Sequence, residues 1–352
     1  MEKKAVDVVF TGLARVPERF KESIKDLVQM RKEGLVNQII FSTWDYEVEK
    51  HKELMDFLKK NDVIIIGSVE PQDRGEGNIW CQMKSLDVGL DKVDTDRFVL
   101  KNRSDIYINP EFLRKLFIEK EDLLKITHNL PKGNIFKYKI WVHYYELKTP
   151  FHMGEECLFG HKHDIKLMVN YEKLYDELKV GNAISHIRRF IHPFLKDYPM
   201  LNSYLKSYSK DTLFKTLAIK FSKKVFEVRG FKIARKISAK NKLTSLQKKL
   251  KDDGFVDILA LYYSILYTHF YIDGNSFTNQ IVNVADRPES TPGVELDPFE
   301  FSKNLDIITH PTRPGQIYVY DMKLLNNIYN KKLNKDPISE KLMNSIERIN
   351  SS

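Results

Sequence analysis

The sequence predicts an α/β fold: a parallel sheet built over residues 1–180, followed by a mainly helical region over 181–352. Three observations carry this expectation. Short apolar runs at 6–10, 38–43, 63–66 and 98–100 recur at intervals filled by helix-length stretches, the alternation that gives parallel strands joined by right-handed crossovers. The run Phe98-Val99-Leu100 is short and wholly apolar, as a strand buried on both faces requires. After residue 182 such runs give way to amphipathic stretches with helical spacing.

Taken in order, the first strand ends at Thr11-Gly12, and a helix over 16–32 follows with Pro17 in its first turn, where a missing N–H costs little. Gly34 is a natural stop. The second strand, 38–43, ends at Trp44 and Asp45, and a charged helix over 47–60 leads to the third, 63–66. A loop with Pro71, Gly75 and Gly77 precedes a helix over 78–89, and the fourth strand begins at Phe98. A helix over 111–119 follows Asn109-Pro110, and the aromatic and β-branched residues of 134–147 favour a strand or hairpin. A helix over 165–178 has Asp164 as its expected cap. An apolar helix over 255–270, a proline-broken stretch over 273–314, a late strand at 317–320 and a tail helix starting at Asp336-Pro337 complete the chain.

Composition narrows the class. A chain of 352 residues with 42% hydrophobic and 30% charged residues is an ordinary globular protein. No run approaches 18 apolar residues, the start lacks the apolar core of a signal peptide, and Cys81 and Cys157 form no metal or disulfide spacing. A cytoplasmic location is the resulting expectation. The net charge of +9 calls for an anionic partner. Its source is local: residues 211–251 hold 13 Lys/Arg against Asp211 and Glu227. There Lys220, Lys223, Lys224, Lys232, Arg235, Lys236 and Lys240 interleave with Phe221, Val225, Phe226, Phe231 and Ile233. This reads as a segment for an anionic membrane surface, with nucleic acid as a rival and a solvated helix face as the plain alternative.

Two stretches carry chemistry. Lys101, Arg103 and Asp105 follow the fourth strand at alternate positions, so an extended chain projects them to one side. Ligands of open α/β sheets bind outside the carboxyl ends of strands, and two cations with one acid suit an anionic ligand. The first βα junction holds neither G-x-G-x-x-G nor G-x-x-x-x-G-K-[ST], which disfavours a dinucleotide fingerprint or a P-loop. The second stretch, 150–164, combines His152, His161 and His163 with Glu155, Glu156 and Asp164. Carboxylates supply general acid–base groups and imidazoles supply metal ligands.

Four pieces together resemble the WavE family of lipopolysaccharide-biosynthesis proteins, glycosyltransferases of GT-A type: Ile39-Ile40-Phe41-Ser42-Thr43-Trp44; Asn78 with Gln82; Val99-Leu100-Lys101-Asn102-Arg103-Ser104-Asp105; and Pro150-Phe151-His152 through Phe159-Gly160 with Asp164. They span about half the chain. Cys81 stands where the family tends to carry a basic residue, Glu155 or Glu156 where it tends to carry Asp, and Asp105-Ile106-Tyr107 holds one acid of a D-x-D. The resemblance implies a GT-A-like Rossmann-type sheet and a nucleotide-sugar donor. Thr11, Gly12 and Arg15, then Thr43, Trp44 and Asp45, would line the donor, with Asn78 and Gln82 on the helix before the central strand. Lys101 and Arg103 would meet the diphosphate, and Asp105 would hold the ribose or a divalent cation, Mn2+ or Mg2+, with His161 or His163 as a metal ligand or a further diphosphate contact. Glu155 or Glu156 would deprotonate the acceptor. The implied partners are the nucleotide sugar, a lipid-linked or oligosaccharide acceptor of a surface glycan such as lipopolysaccharide or capsule, and the inner face of the membrane through 211–251. Another α/β enzyme of phosphorylated substrates, a nucleotidyl- or phosphotransferase, or a non-enzymatic module binding membrane or nucleic acid, remains the alternative.

Overall fold

The computed structural model describes residues 5–75, 78–142, 145–146, 150–172, 174, 188–205 and 253–271, three short strands further on, and residues 344, 345 and 348. The basic segment 211–251, most of the stretch 273–314 and the tail helix from Asp336-Pro337 lie outside the described residues.

The chain folds as β1 (Val6–Thr11), α1 (Pro17–Lys32), β2 (Val36–Trp44), α2 (Asp45–Lys50), α3 (Lys52–Lys60), β3 (Val63–Ser68), α4 (Ile79–Leu90), β4 (Phe98–Arg103), β5 (Ile106–Ile108) and α5 (Pro110–Leu123). Next come β6 (Ile140–Val142), β7 (Tyr145–Glu146), β8 (Leu158–His161) and α6 (Lys162–Val169). A helical turn at Arg188–Ile191, a long helix at Asp253–His269, and β9 (Phe270–Tyr271), β10 (Ile281–Asn283), β11 (Ile307–Thr309) and β12 (Ile317–Val319) follow. Seven strands form the main sheet in the order β3-β2-β1-β4-β8-β6-β9. β3, β2, β1 and β4 are parallel, and β8 runs antiparallel between β4 and β6. A parallel half-sheet extended by an antiparallel strand is a GT-A-like α/β architecture.

Several elements differ from the sequence expectation for local reasons. The single helix over 47–60 is two, α2 and α3, broken at His51 (φ −111°, ψ 53°). β4 runs on through Arg103, so Lys101 and Arg103 belong to the strand. α5 starts at Pro110 because the Asn109 side chain accepts from the Glu111 and Phe112 amides at 2.8 and 3.3 Å. Asp164 is not a cap: α6 begins at Lys162 after His161, and the buried Asp164 carboxylate accepts from the Lys137 and Tyr138 amides, both at 2.9 Å.

Strand parity sorts the core into two layers. Val9, Ile40, Val99, Ile140, Val142 and Leu158 share one apolar cluster with α4, α6, the turn at Arg188–Ile191 and the helix Asp253–His269. Val8, Phe10, Ile39, Phe41, Phe98, Leu100, Trp141 and Phe159 face the other, covered by α1, α3 and α5. The segments after residue 180 that the structure describes therefore join the same core and, through β9, the same sheet. Lys101 and Arg103 have the parity of Val99, so both enter the layer roofed by α4 and the later helices.

Gly89 sets how closely α4 lies on that layer. A Cβ there would meet Val9 Cγ1 at 2.5 Å and Ser42 Cβ at 3.3 Å. Alanine gains up to about 1 kcal/mol of helix propensity, but overpacking against a buried β-branched side chain costs about 1–3 kcal/mol. Gly89→Ala is expected to lower stability by about 1 kcal/mol in urea unfolding; a gain would show that α4 can lift off the sheet without loss.

Candidate active site

The carboxyl ends of β1 and β4 are tied together by short loops. Gly12, at φ +96°, turns the chain after β1, and its carbonyl accepts from Thr43 Oγ1 at 2.8 Å. Ser104 Oγ donates to the Leu13 carbonyl at 2.5 Å, and its amide donates to Thr11 at 3.3 Å. The Ala14 amide donates to Glu47 Oε2 at 3.1 Å, a buried carboxylate in the first turn of α2. The β1–α1 loop is thus fixed on three sides, and Arg15 leaves it toward Asp105.

Asp105 is 3% exposed and fully engaged by cations. Arg103 grips it with Nε at 2.8 Å and a terminal nitrogen at 2.5 Å, and Arg15 adds a contact at 3.3 Å. Burial opposes the charge of Arg103, yet the hydrogen bonds and charge of Asp105, with Glu156 and Glu155 behind it, hold the guanidinium well above its ordinary range. Such a bidentate pair is strongly directional.

Lys101 is 1% exposed, and its ammonium donates to the Glu155 carbonyl and, at 3.0 Å, to the Glu156 carbonyl. This corrects its expected place at the diphosphate: the strand parity turns it inward, where it carries the backbone of the turn before β8. Burial first, and the charge of Arg189 second, push its pKa down to about 8. Glu155 in turn accepts from Gln82 at 3.2 Å and from Arg189 at 2.6 Å, and Arg189 also donates to Gln82 Oε1 at 3.2 Å. Glu156 Oε2 accepts from the Glu155 amide at 3.1 Å. Cys157, its thiol pushed upward by burial, donates to Asn102 Oδ1 at 3.0 Å and closes the turn onto β4.

Other expected donor residues take different parts. Thr11, Thr43 and Trp44 are buried, so Trp44 packs rather than presenting a face for stacking. Asp45 starts α2 with its carboxylate over Gly67. Asn78 is exposed and left-handed (φ 61°) before α4, with no side-chain cap bond, while Gln82 reaches the site one turn later.

The expected metal set is not assembled. His161 pairs with Phe98 at the opposite end of β4 from Asp105, where it contacts Asp96 at 3.4 Å and stacks on Tyr138. His163 contacts Asp164 at 3.0 Å, whose carboxylate holds the backbone at that same far edge. No group of three His, Cys, Asp or Glu that could hold a metal occurs among the described residues. A divalent cation does not fit a carboxylate already bound by two arginines, and no step is assigned to one.

Two functional-looking charges escaped the sequence reading. Arg189 is 1% exposed, yet nothing about Arg188-Arg189 in a helical stretch marks one as buried. Glu47 sits in an ordinary acid-rich helix start. In both cases only tertiary placement distinguishes them from solvated neighbours.

No protein-family model and no curated protein matches the chain. Among solved structures it is similar to the glycosyltransferase GlyE of Streptococcus pneumoniae TIGR4, with 14% identity and a TM-score of 0.33 over 54% of this chain and 44% of that one. The apo form of GlyE matches with 14% identity and a TM-score of 0.31 over 60% and 51%. This chain spans about half the length of those structures. Among the described residues no helix is long and apolar enough to cross a membrane.

The depressed pKa of Lys101 has a signed consequence for stability. The unfolded chain keeps this proton to about pH 10.5, whereas the folded one releases it near 8. Between those values the unfolded state binds more protons, so stability contributed by this residue rises with pH across the window. Urea unfolding at intervals from pH 7 to 10 should show wild type gaining on Lys101→Met by roughly 1–3 kcal/mol. A constant difference between the two proteins would mean the ammonium is not desolvated.

Proposed function

We propose that this chain is a glycosyltransferase of GT-A type that transfers a sugar from a nucleotide-sugar donor to a surface-glycan acceptor. One observation carries the reading: four cations, Arg15, Lys101, Arg103 and Arg189, and three carboxylates, Asp105, Glu155 and Glu156, converge at the carboxyl ends of β1 and β4. That edge is where open α/β sheets bind ligands, and this mix serves a reaction that needs both anion binding and a base. The stretches that resemble the WavE family fall largely here: the end of β2, Gln82, the end of β4 and the turn at 155–156.

In this reading Arg103 and Arg15 would meet the diphosphate. Negative charge grows on that group as the bond to the sugar breaks, and fixed cations in a partly dry site stabilise it where it develops. Asp105 orients both guanidinium groups. A carboxylate of the 155–156 turn takes the proton of the attacking hydroxyl, a contribution of about 10²–10⁴ in rate.

The test is calorimetry and thermal shift with UDP-, GDP- and CMP-sugars against plain nucleotides and sugar phosphates, with and without Mn2+. Preferential binding of one nucleotide sugar, weakened at least tenfold by Arg103→Gln, is expected. Arg103→Gln keeps a side-chain donor toward Asp105, and its Tm is read alongside, because breaking a buried pair from either side destabilises by about 3–5 kcal/mol. A preference for sugar phosphates or plain nucleotides would move the chain to a nucleotidyl- or phosphotransferase.

The same proposal assigns residues 211–251 to the anionic inner face of the membrane, where a lipid-linked acceptor is presented. Sedimentation with anionic vesicles should show binding that falls with salt and with Lys223, Lys224, Arg235 and Lys236 changed to Glu. Binding indifferent to both would remove the electrostatic account.

A further inference from the structure

The two edges of the main sheet are unlike. β9 forms one edge with two residues, Phe270 and Tyr271. β3 forms the other with Val63-Ile64-Ile65-Ile66-Gly67-Ser68, and β2 is its one strand neighbour among the described residues. Sheets in natural proteins guard an open edge with a charge, a proline, a bulge or a very short strand. β3 has none of these. Its residues include no charge and no proline, and its register with β2 runs unbroken from Val63 to Ser68. Val63, Ile64, Ile65 and Ile66 are all β-branched, the composition that pairs most readily with a further strand.

The surface beside this edge is apolar as well. Of the five large hydrophobic side chains that stand exposed among the described residues, three border β3. Ile64 lies within it at 38% exposure and Val69 directly after it at 72%. Tyr46, in α2, donates its hydroxyl to Glu70 Oε2 at 3.4 Å. Charge is divided along the strand. Lys59 and Lys60 end α3 just before it, both exposed, while Asp62 there is matched by Arg31 at 3.7 Å. Glu70, matched by Arg74 at 2.9 Å, and the exposed Asp73 follow it. The entry to β3 is thus cationic and the exit acidic.

We propose that β3 pairs antiparallel with β3 of a second copy of this chain, so that the two main sheets run on as one across a two-fold axis normal to the sheet. Such a pair is closed and self-complementary. It brings the cationic entry of each strand to the acidic exit of its partner, whereas a parallel pair would set cations against cations. A bare strand edge buries little surface, and Ile64, Val69 and Tyr46 add the apolar area that a stable interface needs. The axis keeps each face of the sheet on its own side, so one residue must face its own copy. With Ile65 at the axis, Ile64 meets the partner's Ile66, a favourable β-branched pair, and Lys60 approaches the partner's Glu70. With Ile66 at the axis, Asp62 would oppose the partner's Glu70, acid on acid, a destabilising match. Ile65 is therefore the self-facing residue. The carboxyl edges of the two sheets then point opposite ways, so each copy keeps its own site and the pairing is independent of the reaction there.

The experiment is sedimentation velocity of the full chain over a range of concentrations, with circular dichroism of every variant. Wild type is expected to run as a dimer. Ile64→Lys sets a charge at an exposed position of the junction and should raise the dimer dissociation constant about tenfold or more, with the helix and strand signal unchanged. The double variant Lys59→Glu/Lys60→Glu and the single variant Asp73→Lys should each be monomeric alone. Mixed in equal amounts they should return to the dimer mass, because each flank again meets its opposite. Mixing does not repair a chain that has merely failed to fold. On mild oxidation Ile65→Cys should form a disulfide between copies and Ile66→Cys should not; any other pattern overturns the register. A wild-type monomer at every concentration overturns the proposal and leaves β3 to a strand of a different protein. A dimer that Ile64→Lys leaves intact overturns it too, placing the interface on another face. A mixture that stays monomeric overturns the antiparallel arrangement.

Discussion

A lysine ammonium buried in the centre of the sheet constrains everything around it. Lys101 shares parity with Val99, so its side chain enters a layer closed by α4 and the later helices and cannot return to water. A charge in that position must be met by oxygen at hydrogen-bond distance. The carbonyls of Glu155 and Glu156 meet it, which fixes the turn two residues before β8 begins. Cys157 then reaches Asn102 on the adjacent position of β4, and Leu158 pairs with Lys101 itself in the antiparallel register. The buried ammonium thus ties the turn that bears the two carboxylates to the carboxyl end of β4, where β8 enters antiparallel.

The second constraint is on rigidity. The loop after β1 is held by Thr43, Ser104 and Glu47 through backbone atoms, and the turn after β4 is held by the Arg103–Asp105 fork. Each neutral bond contributes only about 0.5–1.5 kcal/mol net, and the charged ones somewhat more. Their effect is mainly geometric: they set the groups that would face a donor before it arrives. Positioning of this kind is what lets fixed charges stabilise a developing charge without reorganising.

Much of this was legible in the sequence because it is written in local pattern. The four parallel strands follow from apolar runs at regular intervals, and the stretch from Lys101 to Asp105 announces itself as polar residues directly after one of them. Parity even places Lys101 and Arg103 on one side, though Asp105 lies in the turn beyond the strand. What pattern does not encode is depth. Lys101 reads as a free cation until β8 and α4 close over it, and Trp44 reads as a stacking face until the sheet buries it. His161 and His163 look like ligands beside Glu155, but β8 carries His161 to the far edge of the sheet from Asp105. Arg189 was invisible for the converse reason: a basic pair on a helix is usually solvated, and its burial depends on contacts more than a hundred residues away with Gln82.

The cations of the site are also graded by exposure, and under the proposed function the grading would order their response to an anionic ligand. Arg189 and Lys101 are 1% exposed and committed to Glu155 and its neighbour's carbonyl; moving either would leave a buried partner unsatisfied. Arg103 holds Asp105 with two bonds and is largely buried. Arg15 holds the same carboxylate through one contact at 3.3 Å with 47% of its side chain exposed. Arg15 is thus the one of the four that could turn to a ligand while giving up the fewest buried contacts. Asp105 would keep its fork with Arg103 in that case, so the end of β4 would stay held. The acid just past the end of β4, Asp105, is thus a holder of Arg103 and Arg15.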